Sequence, residues 1–120
     1  MEIHHVGVDI IEIARIRKAI ERWEERFLRR IYTEPELRLC RKKPSTLAVR
    51  FAGKEAVMKA LGTGTRGINW KDIEILAEPS GKPVVQLSGK AQDKAAVLGL
   101  NKLAISLSHS REYAVAFVVG

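Results

Sequence analysis

An apolar run spans residues 3–13, with Val6, Val8 and Ile10 on one side of an extended segment and Gly7 and Asp9 on the other. That pattern predicts a strand to about Asp9, then a helix through Arg22 carrying Ile13, Ile16 and Ile20 at helical spacing. Asp9 and Glu12 have the form of an N-terminal capping box, so the helix is expected to begin there. Trp23, Phe27 and Ile31, four apart, mark a short amphipathic segment. Thr33-Glu34-Pro35-Glu36 is a second capping box, opening a helix to about Lys43. Pro44 and Ser45 punctuate, and a long helix starts near Thr46, with Leu47, Phe51, Met58 and Leu61 as the stripe expected to face the core. Beside it, Ala48, Ala52, Glu55 and Lys59 fall within about 60° of one another on the helical wheel.

After Gly67 the period changes to two, predicting a strand from Ile68 through Ile75. The turn cluster Glu78-Pro79-Ser80-Gly81-Lys82-Pro83 leads into Val84-Val85-Gln86-Leu87, which reads as a hairpin. Ser88 is placed to cap a helix reaching about Leu98 and closed by Gly99. Two last strands, 103–108 and 113–119, flank the turn His109-Ser110-Arg111-Glu112. There is no internal repeat, low-complexity tract or linker. The class predicted is α+β, helices packed on a mainly antiparallel sheet, in one domain over residues 1–120.

Composition narrows the setting. Apolar residues make up 46% of the 120, which suits a globular fold. No apolar run approaches the roughly 20 residues needed to span a bilayer, and no signal-peptide pattern opens the chain. The single cysteine, Cys40, excludes an internal disulfide and any metal knuckle. A cytoplasmic protein without a membrane partner is expected. The 21 Lys+Arg against 14 Asp+Glu give a net charge of +7, which attracts polyanions: nucleic acid, an anionic membrane face, a phosphorylated ligand or an acidic protein. Much of the excess lies early, in Arg15, Arg17, Lys18, Arg22, Arg26, Arg29 and Arg30, with Glu21, Glu24 and Glu25 interleaved as on a solvated helix face.

Each candidate for chemistry has a plain reading too. Glu55 and Lys59 form an i,i+4 pair of a kind worth about 0.2–0.5 kcal/mol. Small alanine neighbours, however, would let a ligand or another backbone come close to them. Asp9 could be only a cap, and His109 only an exposed turn residue. His4 and His5 are adjacent, hence on opposite faces of a strand, and make a poor joint metal site. Gly62-Thr63-Gly64 follows its helix, unlike a Walker-type loop, so a phosphate there would need Lys59, Arg50 or a metal to offset the helix dipole. Taken jointly, two carboxylates on separate elements without a Cys/His cluster suit Mg²⁺, with water and substrate phosphates completing its shell. Such a layout serves phosphoryl or phosphodiester transfer.

These residues also carry a family resemblance. Gly7-Val8-Asp9-Ile10, then Glu12 and Arg15-Ile16, resembles the opening motif of bacterial holo-acyl-carrier-protein synthases. Arg50-Phe51-Ala52-Gly53-Lys54-Glu55-Ala56, Lys59-Ala60 and Gly62-Thr63-Gly64 resemble the central motif. Gly81-Lys82-Pro83 and Ser106-Leu107-Ser108-His109, followed by Tyr113-Ala114-Val115-Ala116, are similar to the later ones in the same order. The resemblance spans nearly the whole chain. It implies transfer of 4′-phosphopantetheine from coenzyme A to a serine of an acyl carrier protein, releasing adenosine 3′,5′-bisphosphate, in support of fatty acid biosynthesis. It implies Asp9 and Glu55 as magnesium ligands and Lys59 on the phosphoryl group, with Glu55, or a metal-bound water beside it, taking the serine proton. His109 would lie by the coenzyme, with Ser108, Gly62, Arg50 and Lys54 as further substrate contacts. Arg15, Arg22 and Arg26 would face the acidic carrier protein. The fold implied is that of the 4′-phosphopantetheinyl transferases, here a single half completed by oligomerisation: a homotrimer with interfacial sites.

The chain departs from the family's pattern at Gly53, where alanine is more usual; Gly weakens an exposed helix by up to about 1 kcal/mol relative to Ala. The stretch between Tyr32 and Arg50 is short, and Ser110 stands where threonine or an acidic residue is frequent. Two other classes compete. A basic nucleic-acid-binding module would use the +7 charge, but aromatic residues are only 6% and Trp23 and Trp70 form no evident stacking platform. An inactive assembly partner would not need Asp9, Glu55 and Lys59 together.

Overall fold

A long central helix organises the molecule, and the strands are laid against it. The structure, a computed structural model, describes residues 4–120; Ile3, the start of the apolar run, lies outside them. In chain order the elements are β1 (Val6–Glu12), α1 (Ile13–Trp23), α2 (Glu25–Ile31), α3 (Glu34–Cys40), α4 (Pro44–Leu61), β2 (Ile73–Ala77), β3 (Pro83–Leu87), α5 (Gly89–Val97), β4 (Ala104–His109) and β5 (Tyr113–Val119). Strands β1, β5 and β4 form an antiparallel sheet in that order, and β2 and β3 form a separate antiparallel pair. The class is α+β, as the alternation of periods predicts.

Helix α4 departs from the single apolar stripe expected of it. Ala48, Val49, Arg50, Ala52, Gly53, Lys54, Ala56, Val57 and Ala60 are buried together with Leu47, Met58 and Leu61, while Phe51 is only half-buried. The reason is that α4 packs on β1, β5 and β4 on one side and meets α1, β2 and α5 elsewhere, so almost no face is left for solvent. Its small residues permit the closest of these contacts. A Cβ added at Gly7 would sit 1.9 Å from the Ala56 carbonyl oxygen, so strand backbone rests directly on helix backbone. Gly53 is explained in the same way: a Cβ there would meet Ile75 Cδ1 at 2.6 Å and Ile105 Cδ1 at 3.2 Å. The position is buried, where packing outweighs the helix propensity that glycine forfeits.

Several boundaries move. Strand β1 runs on to Glu12 and α1 begins at Ile13, with no side-chain cap from Glu12. The expected Asp9–Glu12 capping box is therefore absent, because Asp9 is paired in the sheet opposite Ala116. The second capping box is formed: the Thr33 hydroxyl accepts from the Glu36 N–H at 3.3 Å, and Glu36 Oε1 accepts from the Thr33 N–H at 2.8 Å. Helix α3 stops at Cys40, short of Lys43, as Arg41 and Lys42 take positive φ. Residues 70–72 form a 3₁₀ turn instead of strand, with the Asn69 N–H donating to the Asp72 carboxylate, and β2 starts only at Ile73. His109 closes β4 and is not part of the turn.

The outer face of the three-stranded sheet is apolar and uncovered. Val6, Val8, Ile10 and Phe117 remain 47–64% exposed, and Val8 stands opposite Phe117 and Ile10 opposite Val115. Contiguous apolar patches of this kind mark association surfaces.

Candidate active site

The contact of Gly7 with Ala56 brings β1 over the last turns of α4 and sets Asp9 beside that helix. The Lys59 ammonium donates to Asp9 Oδ1 at 3.1 Å and to the Val8 carbonyl at 2.9 Å. Asp9 is sheltered, its side chain 11% exposed, whereas Lys59 remains 53% exposed. Glu55, one turn before Lys59, is half-buried. Burial first, and the negative charge of Asp9 second, hold its carboxyl above the usual carboxylate range; Lys59 and Arg15 pull it back down. Asp9, Glu55, Lys59 and Arg15 thus share one electrostatic field, although they come from β1, α1 and α4. Two carboxylates repel there, and no side-chain hydrogen bond ends on Glu55 among the described residues.

A second group forms at the other end of α4. Arg50, Ser108 and His109 line a cavity of about 180 Å³ with Val49, Gly81, Pro83 and Leu107. Arg50 is 8% exposed, its Nε bonded to the Ile75 carbonyl at 3.0 Å and a terminal nitrogen to the Thr46 carbonyl at 3.4 Å. His109 is exposed, its Nδ1 3.2 Å from the Ser110 carbonyl oxygen. Within one chain the two groups do not adjoin. His109 pairs opposite Ala114 and Asp9 opposite Ala116, on the two flanks of β5, so roughly 10 Å of sheet lies between their strands.

Lys54 is corrected outright. Expected near a phosphate of the coenzyme, it is wholly buried, and its ammonium donates to Glu36 Oε1 at 2.8 Å, the Trp70 carbonyl at 3.1 Å and the Ile73 carbonyl at 2.6 Å. Burial lowers its proton affinity and Glu36 partly restores it. Glu36 Oε2 also accepts from the Ile75 N–H at 2.9 Å. Sequence reasoning found Glu36 as a cap but missed it as the counter-charge of Lys54; a lysine on a helix of otherwise buried positions was the available signal.

Gly62 ends α4 with φ 74°, and a Cβ there would meet nothing within 4 Å. Its open side leaves room for a ligand at the end of the helix. Arg15, Arg22 and Arg26 are exposed, and the Arg22 and Arg26 guanidiniums lie 4.9 and 5.9 Å from the centre of the Trp23 ring. A larger cavity, about 910 Å³, lies elsewhere, between α2 and the 65–72 loop, and its lining includes Arg29, Arg30, Lys71 and Lys90. It contains none of the site residues expected from sequence.

Residues 5–118 match the family model described as the 4′-phosphopantetheinyl transferase superfamily. Among curated proteins, the chain is 52% identical to a holo-[acyl-carrier-protein] synthase of Dehalococcoides mccartyi over 96% of both chains. It is 53% identical to the synthase of that name from Chlamydia felis, over 99% of this chain and 98% of the relative. Among solved structures, the Helicobacter pylori holo-[acyl-carrier-protein] synthase in complex with coenzyme A superposes with a TM-score of 0.87 at 37% identity, covering 96% of this chain and 99% of the other. The Neisseria meningitidis synthase does so with a TM-score of 0.87 at 36% identity, covering 98% of each.

Proposed function

The chain belongs to the holo-[acyl-carrier-protein] synthases of the 4′-phosphopantetheinyl transferase superfamily, and from that premise we propose the reaction and the residues that perform it. The enzyme moves 4′-phosphopantetheine from coenzyme A to a serine of an apo acyl carrier protein. The serine oxygen bonds to the phosphorus next to pantetheine, the bridging pyrophosphate P–O bond breaks, and adenosine 3′,5′-bisphosphate leaves. The observation that carries this reading is that Asp9 and Glu55 share one electrostatic field with a half-exposed lysine bonded to Asp9.

Two partly sheltered carboxylates with mutual repulsion fit a hard cation, and among the described residues no cluster of three His, Cys, Asp or Glu side chains offers an alternative. Asp9 and Glu55 would hold Mg²⁺, which supplies charge neutralisation at the pyrophosphate oxygens. Glu55, whose proton affinity is raised by its surroundings, takes the proton of the serine hydroxyl, directly or through water. Lys59, half-exposed on a flexible stem, leaves Asp9 to cover the negative charge that grows on the transferring phosphoryl group. His109, Ser108 and Arg50 hold the coenzyme at the 180 Å³ cavity, with Gly62 giving it room at the end of α4. Arg15, Arg22 and Arg26 meet the acidic carrier.

The protein works as a homotrimer. The exposed face of Val6, Val8, Ile10 and Phe117 supports this, because apposed copies would cover it. The separation of the two groups within one chain supports it too: a neighbour's cavity completes the carboxylate site. No helix among the described residues is long and apolar enough to cross a membrane, and the enzyme serves fatty acid biosynthesis in the cytoplasm.

The test is the intact mass of an apo carrier protein incubated with this protein, coenzyme A and Mg²⁺. The carrier gains one phosphopantetheine, and EDTA prevents the gain. No gain on any of several apo carriers contradicts the proposal.

A further inference from the structure

Asp9 already carries a cation, and it is one of the chain's own. The Lys59 ammonium sits between Asp9 Oδ1 at 3.1 Å and the Val8 carbonyl at 2.9 Å, so a lysine from the last turn of α4 is laid across the edge strand β1. This seat differs from that of Lys54, whose ammonium spends its three N–H groups on Glu36 and two backbone carbonyls. Lys59 has two acceptors among the described residues, and its side chain is 53% exposed against 11% for Asp9. The carboxylate is sheltered and the ammonium is not, so Lys59 can leave for water at little cost while Asp9 stays in place. Glu55 feels the same ammonium only through space: Lys59 lowers its proton affinity, and no side-chain hydrogen bond reaches it among the described residues. One ammonium thus counters two carboxylates and is bonded to one. A dication approaching that pair meets a like charge already in contact with one of its ligands, and in a partly sheltered site this repulsion is only weakly screened.

We propose that Lys59 is the resident counter-cation of Asp9 and that a divalent cation gains the carboxylate pair only by displacing it. This rests on the transferase reading above, which puts the cation on Asp9 and Glu55. The exchange links the two charged ligands of the reaction. A pyrophosphate that draws Lys59 away frees Asp9 for the cation, and by reciprocity the cation frees Lys59 for the pyrophosphate. Without the coenzyme, Lys59 neutralises Asp9 and keeps the affinity for the cation low.

NMR titration with Mg²⁺ alone, following the backbone amides of Asp9 and Glu55, tests this without turnover. Lys59→Met binds Mg²⁺ about 5-fold or more tightly than the wild type. Arg15→Met removes an equal charge from the field of Glu55 without freeing Asp9, and gains less. In the unaltered protein, the side-chain ammonium resonance of Lys59, assigned by its loss in Lys59→Met, moves as Mg²⁺ is added, while that of the sealed Lys54 stays in place. This second readout does not depend on any variant folding. If Asp9→Ala weakens Mg²⁺ binding but Lys59→Met binds no more tightly than the wild type, the exchange is wrong and the transferase reading stands. An equal gain in Arg15→Met, or a Lys59 resonance that does not move at saturating Mg²⁺, likewise overturns the exchange. If Asp9→Ala binds Mg²⁺ as well as the wild type, the cation lies elsewhere, and the metal assignment falls together with the exchange.

Discussion

Two lysines on α4, five residues apart, meet carboxylates in opposite ways. Lys54 is sealed in the core, bonded to Glu36 and to two backbone carbonyls, and Glu36 in turn caps α3 and takes the Ile75 N–H. Every polar atom there has a partner, and the pair ties α3, α4 and β2 together. Lys59 is half in solvent, holds one oxygen of Asp9, and counters, with Arg15, the burial and the Asp9 charge that hold the Glu55 carboxyl above the usual range. A satisfied buried pair fixes structure, because any change strands a charge. An unsatisfied, accessible pair is a cost to stability that a cation and a phosphate can relieve, which is how a reacting site is built.

The largest expected effect breaks the second region. Asp9→Ala or Glu55→Ala lowers the rate of carrier modification by about 10³-fold or more, with the melting temperature kept within about 3 °C of the wild type. A fully active double variant removes the site assignment. Next comes the first region. Glu36→Gln or Lys54→Met destabilises the fold by about 3–5 kcal/mol in urea unfolding, the range for stranding one member of a buried pair. A loss below about 1 kcal/mol means the core has relaxed around it.

The smallest effect concerns pH. The folded state holds the Glu55 proton more tightly than the unfolded chain, so this group's contribution falls as pH rises through the carboxylate range and is fully unfavourable above it. Glu55→Gln therefore melts about 1–3 °C above the wild type at neutral pH, and the gap closes as pH drops into the carboxylate range. Mg²⁺ raises the melting temperature of the wild type and not of Glu55→Gln. Equal response of both proteins places the cation elsewhere.

Much of the fold was legible in the sequence, the contrast between the two lysines was not, and the difference has a physical cause. Periodicity located the helices and strands because local patterning decides them, and the Thr33–Glu36 cap is itself local. The Asp9–Glu12 cap failed because a tertiary choice overrode it: pairing of Asp9 opposite Ala116 keeps the strand going and points the carboxylate at α4. The single stripe on α4 failed because periodicity assumes a solvent side, which a helix covered on nearly every face lacks. Lys54 and Lys59 look alike in sequence, and family resemblance grouped Lys54 with the coenzyme; only the position of Glu36, 18 residues away, separates their roles. Asp9 and Glu55 were read jointly as a cation pair, but their proximity depends on Gly7 lying against Ala56, a long-range contact with no local signature.

The most direct measurement compares Glu36→Gln with Glu55→Gln in the same intact-mass assay, well below both melting temperatures and normalised to folded protein. The account predicts that Glu36→Gln, though less stable, converts apo carrier at close to the wild-type rate per folded molecule, while Glu55→Gln, at least as stable as the wild type, converts almost none. Near-normal transfer by Glu55→Gln would contradict it, as would an inactive but fully folded Glu36→Gln.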